Sequence, residues 1–376
     1  MTEHTFYIKK IILHFASMDL VNPFTTSFGT VRNRDMILVE AHDEIGTIGW
    51  GECVAFKEPW YTEETVQSAA HIMRDFLIPL ILNQPLDHPD EVTPLFSAIR
   101  RNPMAKAAIE GAVWDIYAKR NNRSLSAALG GTRTNIEAGI SIGLQDNEED
   151  LYRLIDKSLE KGYKRVKLKI KPGMDIDLIK NVRKHFPDLS IMADANSAYT
   201  LKDTDRLKML DAYNLLMIEQ PLGYSDIVEH AILQKEITTP ICLDESIQSY
   251  EDAKEAIALE SCKVINLKIG RVGGLSESIK ILNLCQEKNI AVWCGGMLES
   301  GISRAHNIAL ASLSQVNLPG DISSSSRYWQ KDITVPPVVV ENGYIPVPVN
   351  KGIGYEIDRE ALQAYSYKIE SFSNDY

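Results

Sequence analysis

The sequence lacks any segment that would place it in a membrane. Its 376 residues contain no apolar run that approaches the roughly 20 residues of a membrane-spanning helix. The first four residues, 1–4, are neither basic nor apolar, so we expect no signal peptide. Both absences predict a soluble, cytoplasmic protein with no membrane partner.

Cysteine and positive charge are also scarce. The five cysteines are odd in number and include no Cys-x-x-Cys pair, which argues against a disulfide framework and a zinc site. The net charge of −11 argues against nucleic acid as a partner. No Gly-x-Gly-x-x-Gly follows a strand-like run, which weighs against a dinucleotide-binding fold.

The first third of the chain has the pattern of an α+β unit. Residues 5–56 alternate strand-like runs with turns and predict a small antiparallel meander. Thr62 is the expected N-cap of a first helix, and further helices are expected around residues 89–101 and 104–120. We therefore predict a capping domain at residues 1–130, joined by the C-terminal tail at about 345–376.

From residue 135, short apolar runs alternate with helical segments. The runs cover residues 136–142, 165–170, 190–193, 215–218, 241–243, 263–267, 291–294 and, weakly, 316–319. Repeated strand–helix units of this number predict an α/β fold, a TIM barrel of the (β/α)7β type, over residues 131–344.

Acidic residues recur at the ends of three neighbouring strands. Asp194, Glu219 and Asp244 are evenly spaced, since 219 − 194 and 244 − 219 are both 25. The carboxyl ends of barrel strands form the active-site face, so these side chains should lie side by side. Three adjacent carboxylates repel one another unless a cation joins them. All-oxygen ligands favour Mg²⁺, with Mn²⁺ as a possible substitute.

Lysines flank this acidic set. Strand alternation puts Lys167 and Lys169 on the inner face of the second strand, and Asn266 and Lys268 on that of the sixth. A lysine near a cation and a second ammonium has a lowered pKa and can act as a general base. The whole set suits removal of a proton next to a carboxylate, through an enediolate.

Each of these residues alone has a commoner explanation. Asp194 or Asp244 could be a helix N-cap, and Lys268 could be a surface lysine. Because these residues recur at strand ends with one period, a shared active site is favoured over the separate explanations. A metal-free Schiff-base barrel aldolase would need a lysine isolated in an apolar pocket. A non-catalytic protein on the same fold would be expected to lack part of the set.

The motifs resemble the enolase superfamily and, within it, the muconate-lactonising subgroup. They are Lys-x-Lys at 167–169, Asp-Ala-Asn at 194–196, Glu-Gln-Pro at 219–221, Asp-Glu-Ser at 244–246 and Asn-x-Lys at 266–268. Residues 26–30, 167–173, 266–274 and 295–302 further resemble the o-succinylbenzoate synthase/N-succinylamino acid racemase family. Ile269 departs from the proline common in relatives.

The resemblance implies a role for each residue of the set. Asp194, Glu219 and Asp244 would hold Mg²⁺, Lys169 would remove the α-proton, and Lys167 would support Lys169. Lys268 would stabilise the enediolate in a synthase or act from the opposite face in a racemase. Substrate contacts would come from Ser141, Asn196, Arg271, Gly296, Met297, Leu298, Glu299 and Ser300, with Phe24, Ser27 and Phe28 on a loop that closes over the substrate.

The implied reaction is dehydration of 2-succinyl-6-hydroxy-2,4-cyclohexadiene-1-carboxylate to o-succinylbenzoate, in menaquinone synthesis. The substrate would thus be a small carboxylate, and the protein is expected to be a homo-oligomer. A dedicated N-succinylamino acid (N-acylamino acid) racemase is the alternative. Arg271 matches the arginine typical of members that also racemise, which leaves both activities open.

Overall fold

The structure, a computed structural model, describes residues 5–25, 30–145 and 147–373. Within these residues no helix is long and apolar enough to cross a membrane. The strands are β1 (Phe6–Thr25), β2 (Thr30–Asp43), β3 (Ile48–Cys53), β4 (Pro85–Leu86), β5 (Asn135–Glu137), β6 (Gly139–Ile142), β7 (Arg165–Lys169), β8 (Ile191–Asp194), β9 (Ile218–Glu219), β10 (Ile241–Leu243), β11 (Val264–Leu267), β12 (Ala291–Cys294), β13 (Thr334–Val335), β14 (Tyr344–Pro346), β15 (Glu356–Ile357) and β16 (Ser366–Ser373).

The helices lie between these strands, and short turns of other helical types extend several of them. The α-helices are α1 (Val66–Ile72), α2 (Ile78–Ile81), α3 (Val92–Leu95), α4 (Pro103–Arg120), α5 (Leu125–Leu129), α6 (Glu148–Glu160), α7 (Ile176–His185), α8 (Thr204–Lys208), α9 (Val228–Glu236), α10 (Tyr250–Ala258), α11 (Ile269–Val272), α12 (Leu275–Glu287), α13 (Gly301–Ala311) and α14 (Arg359–Tyr365). A π-helical turn covers Met73–Leu77, and 3₁₀ turns cover Pro89–Glu91, Leu201–Asp203, Met209–Tyr213 and Ser325–Arg327.

The N-terminal strands form an antiparallel sheet that packs on α4. Its order is β16-β1-β2-β3, and β4 pairs with β1. Gly49 and Gly51 of β3 face α4 so closely that a Cβ on either would overlap the carbonyl oxygen of Ala112 or Ala108. The many small residues of α4 thus let strand and helix backbones approach each other.

Seven of the later strands form a parallel barrel, while β5 pairs with β14 and β13 pairs with β15 in two small antiparallel sheets. β6 to β12 lie in sequential order in one seven-stranded sheet. Both of its edges bond to one extended segment: Leu318 N donates to Val292 O at 3.2 Å, and Gly139 N donates to Gly320 O at 2.7 Å. Residues 317–321 therefore take the eighth position in the ring, between β12 and β6.

The predicted fold class is confirmed, and several local predictions need correction. The first helix is capped by Thr65, not Thr62, and Thr65 forms a capping box with Ser68. Glu64 would lie in the first turn of a helix capped by Thr62. It instead accepts hydrogen bonds from Met104 N and Ala105 N, both at 2.8 Å, and so caps α4. Glu64 thus forms long-range hydrogen bonds and does not have the local role that its position in the sequence predicts.

Other corrections concern element lengths. The single helix expected at 89–101 is a 3₁₀ turn followed by the four residues of α3. The weakly predicted strand at 316–319 has the position of a strand without regular ladder pairing, because its hydrogen bonds are split between two neighbours. β16, which the sequence did not suggest, pairs antiparallel with β1.

We predict that Gly51→Ala destabilises the protein. The added methyl meets the Ala108 carbonyl, so either β3 or α4 must move. We expect the free energy of unfolding, measured with urea, to fall by about 1–3 kcal/mol. Gly223→Ala is the control, since its Cβ would meet only the Asp226 Cβ at 3.7 Å. Equal stability of the two variants would contradict the packing argument.

Candidate active site

A cavity opens at the carboxyl ends of the barrel strands, beneath the N-terminal sheet region. Most of the residues predicted for a site line it: Phe24, Ser141, Lys167, Lys169, Asp194, Asn196, Asp244, Lys268, Gly296, Met297 and Leu298. The cavity also has walls that sequence reasoning missed: Phe56, Trp60, Tyr61, Glu245, Asp321, Ser323, Arg327 and Tyr328. Ser27 and Phe28 lie outside the described residues.

Strand register brings the acidic residues together. Lys169 is level with Asp194, and Asp194 is level with Glu219, on three adjacent strands. Cys242 of β10 is level with Glu219, so Asp244 lies just beyond the end of its strand. The carboxylates of three consecutive strands therefore converge at one end of the barrel.

Each lysine of the cavity contacts a different part of this acidic set. Lys169 Nζ donates to Asp194 Oδ2 at 2.7 Å and to Asn196 Oδ1 at 2.6 Å. On the other side, Lys268 Nζ donates to Asp244 Oδ2 at 2.9 Å and to Tyr61 Oη at 2.9 Å. The two ammonium groups thus flank the carboxylates from opposite sides.

Lys167 lies deeper and joins the acids to the eighth barrel position. Its Nζ is 2.7 Å from Asp321 Oδ2, 3.0 Å from Glu219 Oε2 and 3.3 Å from Asp194 Oδ2. Asp321 also receives a hydrogen bond from Arg165 Nη2 at 2.5 Å. Arg165 is fully buried in the barrel interior, below Lys167.

Burial and charge shift the pKa values of these groups in different directions. Burial, followed by the neighbouring Asp194 carboxylate, raises the pKa of Glu219 to about 8. Burial also penalises charged Asp244, but Arg271 and Lys268 outweigh it and lower that pKa. The pKa of Lys268 is raised because Asp244 and Tyr61 outweigh its burial. The ammonium of Lys268 therefore lies against a carboxylate. The lowered lysine pKa that is expected beside a bound cation stays a prediction.

The backbone near the site is locally strained. Asn196, Ser197, Gln220 and Leu298 all have positive φ values, between 38° and 62°. Such conformations are costly for non-glycine residues and cluster at functional sites. All four follow barrel strands, which supports a binding role for this end of the barrel.

Side-chain amides hold the carboxylate of Glu219 and the backbone of Asp244 in place. Asn266 Nδ2 donates to Glu219 Oε1 at 2.7 Å. Gln220 Oε1 accepts from Asp244 N at 2.9 Å, which ties the end of β10 to the end of β9. These bonds explain why the Glu-Gln-Pro and Asn-x-Lys motifs accompany the acids.

The donor set fits a divalent cation by its chemistry. In the part of the chain that the structure describes, no group of three His, Cys, Asp or Glu side chains is arranged to hold a metal. The oxygens of Asp194, Glu219 and Asp244 contact ammonium and guanidinium groups instead. Two further buried oxygens, Asn266 Oδ1 and Glu245 Oε2, have no hydrogen-bond partner among these residues. Oxygen donors of this kind suit Mg²⁺ or Mn²⁺.

Arg271 is placed behind the cavity, and the described lining residues do not include it. It is fully buried, and its guanidinium donates to Ile247 O at 2.7 Å and to Asn266 O at 2.6 Å. It also contacts Asp244 and donates to Tyr61 Oη at 2.8 Å. In this arrangement Arg271 would affect a bound ligand indirectly, through its contacts with Asp244 and Tyr61.

Glu299 and Ser300 likewise lie outside the described lining residues. The Glu299 carboxylate accepts from Met297 N, so it shapes the loop at 296–298. Ser300 caps α13, and its Oγ donates to Glu52 Oε2 at 2.7 Å. Both residues position the cavity wall.

The sequence pattern could have identified two of the residues that the predictions missed. Glu245 follows Asp244 directly, and Asp321 ends the eighth barrel position, so the strand-end rule covers both. Tyr61 and Arg327 come from connecting segments with no periodic pattern. Only the folded chain brings them to the cavity.

Comparisons with known proteins agree across the chain. Residues 10–130 match the family described as "Mandelate racemase / muconate lactonizing enzyme, N-terminal domain", and residues 150–361 match "Enolase C-terminal domain-like". The chain is 56% identical over 359 residues to an o-succinylbenzoate synthase of Geobacillus stearothermophilus, covering 96% of both. It is 44% identical to an N-succinylamino acid racemase of Thermus thermophilus, covering 92% of this chain and 93% of the other. A solved enolase-superfamily structure from Listeria innocua is 48% identical, with a TM-score of 0.96 and coverage of 98% and 99%.

We predict that Arg271→Met destabilises the protein strongly. The substitution leaves two buried carbonyls and Asp244 without their guanidinium donor. Breaking a buried pair in this way costs about 3–5 kcal/mol, to be measured by urea unfolding. Arg153→Met, which breaks an exposed pair with Asp150, should change the free energy of unfolding by less than about 1 kcal/mol. A similar loss in both variants would contradict this role of Arg271.

Proposed function

The chain belongs to the mandelate racemase/muconate lactonizing enzyme family of the enolase superfamily, and we propose that it is a Mg²⁺-dependent o-succinylbenzoate synthase. The observation that carries the proposal is the pair of lysines on opposite sides of three carboxylates, Lys169 against Asp194 and Lys268 against Asp244. The similarity to synthases of 45–56% identity supports the substrate. The role in menaquinone synthesis and a cytoplasmic location are part of the proposal.

We also propose that the chain has two domains. The capping domain would comprise residues 1–130 and about 345–376, and the barrel would comprise 131–344. Pairing of β16 with β1 supports the assignment of the tail to the capping domain. The site would then lie between the two, since Phe24, Tyr61 and the strand ends share one cavity.

In the proposed mechanism, Asp194, Glu219 and Asp244 would hold the Mg²⁺ ion. The cation supplies positive charge beside the carboxylate of the substrate, which favours an enediolate. The carboxylate oxygens that would hold the ion also lie within 3.0 Å of the ammonium groups of Lys167, Lys169 and Lys268. Mn²⁺ has the same preference for oxygen ligands and would substitute.

Lys169 would act as the base. As a neutral amine it takes the α-proton, and Asp194 and Asn196 then stabilise the ammonium that forms. The hydroxyl on the adjacent carbon leaves from the same face and receives a proton from that ammonium, so water is released and the base is regenerated. Lys268, as a cation, would stabilise the enediolate from the opposite face, and Lys167 would keep Lys169 in place.

Racemisation of N-succinylamino acids is the second candidate, and the same lysines support it. Lys169 would remove the proton from one enantiomer, and Lys268 would deliver a proton to the other face. Arg271 lies beside Lys268 through their shared partners, Asp244 and Tyr61. The similarity of this chain to the Thermus thermophilus racemase also supports racemisation as a candidate activity. We propose that both activities use one site.

We predict that activity depends on a divalent cation. Chelation should abolish o-succinylbenzoate formation, and Mg²⁺ or Mn²⁺ should restore it. In a thermal unfolding assay, Mg²⁺ at 100 times its Kd should stabilise the wild type by about 2.7 kcal/mol. Asp244→Asn should lose both effects because it removes a carboxylate ligand.

Asp205→Asn, an exposed substitution on α8, is the control and should respond to Mg²⁺ like the wild type. Full activity after chelation would contradict the proposal. If borohydride then inactivated the protein in the presence of substrate, the Schiff-base aldolase alternative would replace it.

We predict opposite stereochemical defects in the two lysine variants. In D₂O, the wild type should exchange the α-proton of both enantiomers of N-succinylphenylalanine, followed by NMR. Lys169→Ala and Lys268→Ala should each lose exchange of a different enantiomer by about 10²–10⁴-fold. Lys169→Ala should also lose synthase activity, and Lys180→Ala, an exposed control on α7, should change neither. Full synthase turnover by Lys169→Ala would show that another group is the base.

A further inference from the structure

Arg327 is a cation of the cavity wall that forms no ion pair with any acidic residue that the structure describes. The other cations that line the cavity are Lys167, Lys169 and Lys268, and each is in a buried ion pair. Among the ion pairs formed within the described residues, none involves Arg327 (ranges 5–25, 30–145 and 147–373). Its guanidinium donates to the carbonyl oxygen of Ser141 and lies 5.9 Å from the centre of the Tyr328 ring.

Two buried hydroxyls on the same side of the cavity also lack a hydrogen-bond partner among the described residues. Ser141 Oγ and Ser323 Oγ are buried and form no hydrogen bond with any residue that the structure describes. Ser323 is 4% exposed, and both residues line the cavity with Arg327. A buried hydroxyl without a partner is costly, so the two oxygens are suited to bind a ligand.

Ring order places this group across the barrel mouth from the proposed metal ligands. Asp194, Glu219 and Asp244 end the third, fourth and fifth ring positions. Ser141 belongs to β6, the first position, and Ser323 and Arg327 follow the eighth, residues 317–321. In a ring of eight, the first and eighth positions face the fourth and fifth. A molecule that binds the proposed metal ion on one side and Arg327 on the other needs an anionic group at each end and a spacer between them.

The acidic and basic side chains around the proposed reaction centre are equal in number when Arg327 is left out. Five carboxylates and five cations lie there: Asp194, Glu219, Asp244, Glu245 and Asp321, with Arg165, Lys167, Lys169, Lys268 and Arg271. A guanidinium beside two free hydroxyls matches a carboxylate, which accepts hydrogen bonds from all three groups.

We propose that Arg327, with the hydroxyls of Ser141 and Ser323, binds the second carboxylate of a dicarboxylate substrate and so determines selectivity for the succinyl group. The proposal rests on the proposed function, which assigns the reacting carboxylate to the opposite side of the cavity. Arg327 is thus a specificity-determining residue that takes no part in proton transfer.

The test compares two ligands that differ only at this end. o-Succinylbenzoate has the distal carboxylate, and o-butyrylbenzoate has a methyl group in its place. Titration calorimetry with the Mg²⁺-loaded wild type should give a preference of about 10- to 100-fold for o-succinylbenzoate. Arg327→Met should abolish that preference while it leaves the Kd of o-butyrylbenzoate within about twofold. Arg327→Lys should keep part of the preference, and the exposed control Arg153→Met should keep all of it.

Three outcomes would overturn the proposal. They are equal weakening of both ligands in Arg327→Met, an unchanged preference in that variant, and a wild type that does not prefer o-succinylbenzoate. Measurement of enzyme turnover distinguishes a failure of this proposal from a failure of the proposed function. If the wild type prefers the dicarboxylate but has neither synthase nor racemase activity, the proposed function fails and the role of Arg327 stands.

Discussion

The balance of buried charge at the barrel mouth is the constraint on which the rest of the site depends. Carboxylates at the ends of three neighbouring strands repel one another, and each is buried almost completely. Burial of charge is tolerable only when partners lie in good geometry. Lysines and arginines from both flanks supply those partners, with Asp194, Glu219 and Asp244 each within 3.0 Å of a cation. Most of the polar residues around the cavity are therefore paired with a residue of opposite charge or with a hydrogen-bond partner. The position of each one depends on that partner.

Buried carboxylates outside the site tie the N-terminal region to the barrel. Glu52 accepts from Ser300 N at 3.0 Å and caps α13, and Glu110 accepts from Leu275 N at 2.9 Å and caps α12. Helix α13 follows the loop that contains Met297, and α12 follows the short helix α11 that contains Arg271. Burial raises the pKa of both glutamates to about 7. The segments that carry Met297 and Arg271 are thereby held from outside the barrel.

The sequence predicted the part of the site that follows strands. In a parallel barrel, strand ends meet at one face, so residue type and spacing were enough to assign Lys169, Asp194 and Lys268 to one cavity. Prediction was weaker where a side chain serves a distant partner. Glu64 has the pattern of a first-turn residue, yet it caps α4, about 40 residues away along the chain. Arg271 lies in a motif typical of the family, but its orientation depends on the backbone carbonyls around it.

By itself, the sequence determined the fold class, the repeat of strands and helices, and the acids and lysines at the strand ends. These follow from local periodicity, since side chains alternate along a strand and strand ends share one edge. Only the tertiary structure decided how residues 317–321 close the ring and that Glu299 and Ser300 support the wall. It also decided that Arg327 lines the cavity and forms no ion pair with an acidic residue in the described part of the chain. Those features arise from contacts between segments far apart in the chain, and no local pattern encodes them.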